Sequence, residues 1–165
     1  MGQQRPAFAE EISEGQESVW DYPRPPAIVD CNQLVEVKVG DNVIASSTRS
    51  KRVLETASPP TVYIPPEDIQ LDALMQVAGQ SFCEWKGAAF YWGIVNADRF
   101  PVGWSYPTPS PAFAVIKNWL CFYPARIECY LDGERVKSQE GGFYGGWVTK
   151  SIVGPWKGAT NTGHW

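Results

Sequence analysis

The chain has 165 residues, with 14 Lys and Arg against 18 Asp and Glu and a single His, for a formal charge of −4. That length fits one domain with its own core. The acidic balance excludes a nucleic-acid-binding surface, which needs a basic stripe, and no apolar run nears the ~18 residues of a membrane span. With 8 Trp, 15 Gly, 14 Pro and only 19% charged residues, the composition is that of an aromatic, turn-rich, mostly β protein.

Residues 1–17 carry Arg5 and four glutamates without periodicity, and they read as a disordered or loosely docked acidic arm. The arm has no apolar leader segment, so a cytoplasmic setting with four reduced thiols is expected. A domain over 18–140 follows, and a Gly- and Trp-rich segment over 141–165 ends the chain. Three prolines exclude helix from 20–26. Residues 34–39 alternate, Val35, Val37 and Val39 on one side and Glu36 and Lys38 on the other. A turn at Gly40-Asp41-Asn42 returns the chain over 43–47 as a half-buried hairpin.

Residues 51–56 fit either a strand or a helical turn, and 61–64 a short strand closed by Pro65-Pro66. Residues 69–77 fit a short helix or an irregular strand. The run 82–95 contains the most hydrophobic stretch of the chain and reads as one central strand. Residues 103–111 form a Pro-rich loop, 112–118 one helical turn, and 119–123 a strand. Asp132-Gly133 marks a tight hairpin between 127–131 and 134–137, because this pair supplies the positive φ angles a two-residue turn needs. Residues 147–153 form a last strand. The pattern predicts seven or eight short strands and little helix.

The cysteines are Cys31, Cys83, Cys121 and Cys129, and no two are spaced as in a zinc knuckle. The lone His164 is the penultimate residue, so no His-pair metal motif exists, and no metal or cofactor is expected. Cys121 and Cys129 fall on predicted strands and suit a core. Cys83 lies in Cys83-Glu84-Trp85-Lys86-Gly87. If that segment turns, the Lys86 ammonium approaches the sulfur and favours thiolate. If it is a continuous strand, the two side chains face opposite ways and Cys83 is an inert core thiol. Arg49, Lys51 and Arg52, followed by Glu55, form the only basic cluster. It suits either a carboxylate or phosphate site or a solvated strand face. Tyr63, Trp85, Tyr91, Trp92, Trp104, Tyr106, Phe143, Tyr144 and Trp147 are available to line a cleft or to anchor a core. Gly154-Pro155-Trp156-Lys157-Gly158 has the look of a phosphate loop but lacks its Gly-Lys-Ser/Thr end.

Three ordered blocks carry a resemblance. The first is Arg-Val-Leu-Glu-Thr over 52–56 with Pro59-Pro60, Tyr63-Ile64-Pro65 and Asp68. The second is 83–87 with Ala89 and Tyr91-Trp92. The third is Trp104-Ser105-Tyr106-Pro107 with Phe122-Tyr123-Pro124. Over residues 19–138 the chain resembles the domain-of-unknown-function family numbered 427. Its tail, from Gly145-Gly146-Trp147 to Gly154 and Lys157-Gly158, is similar to that of members from photosynthetic organisms. The resemblance implies a β-tent fold, shared with zinc-knuckle proteins and methionine sulfoxide reductase B. Many such proteins hold zinc through two Cys-x-x-Cys knuckles, which this chain lacks. The resemblance implies no activity.

The resulting expectation is a single mostly-β, β-tent-like domain of two small antiparallel sheets with extended N- and C-terminal arms. A pocket between the sheets would be lined by Arg52, Tyr63, Trp92, Trp104 and Tyr106 and would bind or transform a small, anionic molecule. Cys83, Lys86 and Glu55 are the candidate catalytic groups, although no reaction is identified. The alternative is a non-catalytic interaction module, whose aromatic C-terminal segment packs on a partner or a second copy. Cys83 to Lys86 is further expected to form a degenerate knuckle, the ammonium standing where zinc would stand and Gly87 allowing the tight return.

Overall fold

Alternating valines and paired turn residues dominate the first third of the chain, and they set its strands. The computed structural model describes residues 5–83, 86–97, 100–140, 145–158 and 165. A short β1 (Glu17–Ser18) runs into a single 3-10 turn at Val19–Asp21, where the Ser18 hydroxyl accepts from the Trp20 amide. Next come β2 (Ala27–Cys31), β3 (Val35–Val39), β4 (Asn42–Ser47), β5 (Ser50–Leu54) and β6 (Thr61–Tyr63). Two 3-10 turns, Pro66–Asp68 and Leu71–Ala73, lead to the long β7 (Leu74–Cys83) and β8 (Gly87–Ile94). After β9 (Gly103–Ser105), a 3-10 segment at Pro111–Ile116 precedes β10 (Leu120–Phe122). The chain ends with β11 (Glu128–Leu131), β12 (Glu134–Arg135), β13 (Lys137–Ser138), β14 (Trp147–Val148) and β15 (Ile152–Val153).

The strands form three main antiparallel sheets, ordered β10-β9-β8-β7, β12-β11-β3-β4 and β2-β5-β6. Two small pairs complete them: β13 with β14 antiparallel, and β1 with β15 parallel. The protein is thus mostly β and built from small antiparallel sheets, with more of them than the two anticipated. Division into short pieces has a local cause. Prolines or 3-10 turns stand in the connections β1–β2, β5–β6, β6–β7, β8–β9, β9–β10 and β10–β11, and no sheet among the described residues exceeds four strands.

Several ambiguous stretches resolve. Residues 50–54 are strand, because each residue of β5 pairs with β2 and the middle ones with β6. Residues 69–77 combine both readings, a 3-10 turn followed by the start of β7. The run 82–95 is not one strand: Cys83 pairs with Gly87, so the chain folds back between β7 and β8. The hydrophobic stretch concealed that turn, since hydrophobicity alone does not mark a reversal. The Asp132-Gly133 hairpin has φ of 48° and 83°, and pairs Leu131 with Glu134.

The core lies among the three sheets. Val35 and Val37 of β3, Tyr63, Ile64, Phe122, Cys121 and Cys129 are essentially inaccessible. Backbone bridging of Ile64 to Leu120 joins β6 to β10 and ties two sheets together. A second cluster of Val19, Tyr22 and Ile152, with Trp156 packed on it, joins the two ends of the domain. There the Glu17 amide donates to the Ser151 carbonyl and Trp20 Nε1 to the Pro155 carbonyl. The Phe8 and Trp165 rings stack at 5.0 Å. No helix among the described residues is long and apolar enough to cross a membrane.

Candidate functional site

The β7–β8 hairpin is the element from which the site is built. Gly87 returns the chain at φ +106°, a region that side chains with a Cβ disfavour, and a Cβ there would also lie 3.2 Å from the Thr108 carbonyl oxygen. The Ser110 amide donates to the Lys86 carbonyl at 3.2 Å, so the turn is fastened to the loop after β9. Fixed in this way, the turn directs Lys86 and Cys83 into one cavity of about 320 Å³. The intervening Glu84 and Trp85 lie outside the described residues, as do Phe143, Tyr144 and His164.

Aromatic rings form most of the wall. Tyr91 enters from β8, Trp104 from β9, Tyr106 just beyond it, and Tyr123 from the loop after β10. Trp104 packs on Tyr123 at 4.7 Å between centroids, and the Tyr91 hydroxyl donates to Ser81 Oγ at 2.7 Å. On the opposite side stand Glu55 and Ser58, from the turn after β5. The last wall comes from the C-terminal segment, through Gly145 and Lys157.

The electrostatics centre on Lys86. The residue is only 8% exposed, yet its ammonium makes no ion pair or hydrogen bond among the described residues. Its charge rests instead on ring faces, 5.9 Å from the centroid of Tyr106 and 5.6 Å from that of Phe113. Ring faces are a weaker partner for a cation than a carboxylate or another anion. Glu55 and Lys157 also make no ion pair among the described residues, so two lysines and one glutamate line the cavity without pairing with one another. Burial, reinforced by the nearby Cys83, pushes the Tyr106 hydroxyl up, so it stays a neutral donor. Burial likewise raises Tyr123.

Three residues expected in the pocket lie elsewhere. Arg52 is engaged by Glu17, to which it donates from both terminal nitrogens, and its Nη2 also reaches the Tyr22 hydroxyl at 3.5 Å. Its neighbours are paired too: Arg49 with Asp68 at 2.9 Å and Lys51 with Asp30 at 2.6 Å. The basic cluster is therefore a set of ion pairs rather than an anion cradle. Trp92 follows Tyr91 on β8 and so points to the other face, where its Nε1 donates to Ser105 Oγ at 2.9 Å. Tyr63 is wholly buried behind the wall, and its hydroxyl accepts from Trp104 Nε1 at 3.1 Å. It positions Trp104 without meeting the cavity.

Ser58, Ser81, Tyr123, Gly145 and Lys157 were not among the sequence candidates. Tyr123 and Gly145 fall within the stretches that carry the family resemblance and Lys157 within Gly-Pro-Trp-Lys-Gly, whereas nothing in the sequence marks Ser58 or Ser81. The thiols divide sharply. Burial raises Cys31, Cys121 and Cys129, whereas Cys83 is half-buried and lines the cavity. The zinc of knuckle proteins does not fit this donor set. Cys83 is the sole thiol lining the cavity, an ammonium stands at the knuckle spacing, and no three His, Cys, Asp or Glu side chains converge among the described residues.

The described residues thus form a mostly β domain with an aromatic-walled cavity. The profile of a family described as a domain of unknown function, DUF427, matches residues 27–133, and the chain belongs to that family. Most of the cavity lies inside the matched region, from Glu55 to Tyr123, while Gly145 and Lys157 lie beyond it. No curated protein matches the chain.

Proposed function

We propose that this domain binds a small anionic molecule in the cavity between the β7–β8 hairpin and the C-terminal segment. The observation that carries the reading is Lys86, a residue only 8% exposed that lines the cavity and has no ion-pair partner among the described residues. An anionic ligand group would supply the missing counter-charge through a charge-assisted hydrogen bond. Trp104, Tyr106 and Tyr91 would sandwich a flat or ring-shaped body, and Ser58, Ser81 and Glu55 would accept from its hydroxyl or amine groups. The volume of about 320 Å³ suits a compact metabolite rather than a peptide.

A β-tent architecture and a cytoplasmic setting belong to this proposal, the second in keeping with four free thiols. Binding is the function proposed, and no catalytic step is assigned to Cys83, Lys86 or Glu55. The alternative of an interaction module loses support from the C-terminal aromatics, because Trp147 is buried and Trp156 packs inward on Val19, Tyr22 and Ile152. Native mass spectrometry of the protein purified from its own cells tests the reading. The expected result is a retained anionic compound, released on denaturation and lost from a Lys86→Met variant. Equal loading of both proteins would remove Lys86 from the function.

A further inference from the structure

The C-terminal wall of the cavity is built unlike the others. At Gly145 the backbone passes so close to Trp104 that a Cβ would lie 2.2 Å from the indole ring, so only glycine permits this approach. Further along, the Lys157 amide donates to the Ala57 carbonyl at 2.9 Å, and the Gln139 side-chain amide donates to the Lys157 carbonyl at 2.6 Å. The backbone of Lys157 is thus fixed on both sides. The residue lines the cavity, and its side chain makes no ion pair or hydrogen bond among the described residues. A lysine fixed at its backbone beside the cavity, with no partner for its ammonium among the described residues, is within reach of a ligand that enters.

We infer that Lys157 is a specificity-determining residue that joins Lys86 to make the cavity select a doubly charged anion, of the phosphate monoester class, over a monocarboxylate. The inference rests on the proposed anion site and adds to it a second cation from outside the family-matched region. Lys86 comes from the β7–β8 turn and Lys157 from the C-terminal segment, so the two approach a ligand from different elements. A tetrahedral phosphate dianion offers three oxygens to separate donors, whereas a carboxylate offers two in one plane. Glu55 leaves the cavity one positive charge in excess with the two lysines, which a monoanion balances alone. The dianion is preferred only if both ammonium groups contact it, so the inference stands or falls on Lys157.

Titration of the full chain with phenyl phosphate and with benzoate at pH 8, followed by tryptophan fluorescence and calorimetry, tests it. The phosphate is then a dianion, its second pKa being about 6. Wild type is expected to bind phenyl phosphate about tenfold more tightly than benzoate, the scale of one additional charge-assisted hydrogen bond. Lys157→Gln should erase that preference by weakening phenyl phosphate about tenfold more than it weakens benzoate, and Lys157→Arg should restore much of it. Thermal melts of each variant establish that the fold is retained. Wild type that binds both probes equally, or a Lys157→Gln protein that keeps the preference, overturns the inference while the anion site survives. If wild type binds neither probe, the inference fails together with the anion site.

Discussion

Replacing Trp147 by Ala should unfold the protein at a markedly lower temperature. Trp147 lies beyond the family-matched region, yet it is 1% exposed and belongs to the main core. Its Nε1 donates to the Phe122 carbonyl at 2.9 Å, and its own amide donates to the Pro60 carbonyl. Truncation removes the indole from a site between β6 and β10 and leaves the Phe122 carbonyl without that donor. Large-to-small changes of this kind cost about 3–5 kcal/mol. For a chain of this length each kcal/mol lowers Tm by roughly 2–4 °C, so a drop of about 6–20 °C is expected. Trp147→Phe should fall between, since it keeps most of the ring volume but strands the carbonyl, at about 1–3 kcal/mol. Differential scanning calorimetry at several protein concentrations measures both. A Tm within about 2 °C of wild type for Trp147→Ala would refute the view that the C-terminal segment is part of the core.

Further outcomes follow from other features. Limited alkylation read by peptide mass spectrometry should label Cys83 well before Cys31, Cys121 and Cys129, which are buried; equal labelling of all four would contradict the burial described above. Burial works to raise the Glu17 carboxyl, but hydrogen bonds from Arg52 and Tyr22 outweigh it and leave it below the usual 4.5. Its stabilising contribution is therefore present above that value and lost as pH falls through the lower folded-state value. Wild-type Tm should consequently fall more steeply on acidification below about pH 4.5 than that of Glu17→Gln, and parallel curves would remove Glu17 from the acid response. Trp92→Phe should leave benzoate affinity within about twofold, because the Trp92 ring faces away from the cavity, whereas Tyr106→Leu should weaken it by about tenfold. The reverse order would move the site to the other face of β8.

Local signals carried the hairpins well. Asp132-Gly133 and Gly40-Asp41 specify turns through backbone chemistry that involves only neighbouring residues. The β7–β8 reversal was harder to read, because Glu84-Trp85-Lys86 contains no turn-forming residue and only Gly87 marks the return. Glu55, Cys83, Lys86, Trp104 and Tyr106, singled out along the sequence, share one cavity. Arg52 was misplaced because its partner Glu17 is 35 positions away, and nothing near Arg52 announces that pairing. Trp92 was misplaced because an aromatic pair such as Tyr91-Trp92 does not reveal which member faces inward until the strand register is known. Lys157 owes its place to the fold of the chain ends, through Ala57 and Gln139, and no local pattern encodes such contacts.

The most direct test of the anion site is a crystal structure of the protein isolated from its own cells, with electron density sought around Lys86 Nζ. The account predicts a bound anionic group at about 2.7–3.2 Å from that nitrogen, with its body between Trp104 and Tyr106. A Glu55 carboxylate swung onto Lys86, filling the cavity and leaving no room for a ligand, would contradict it.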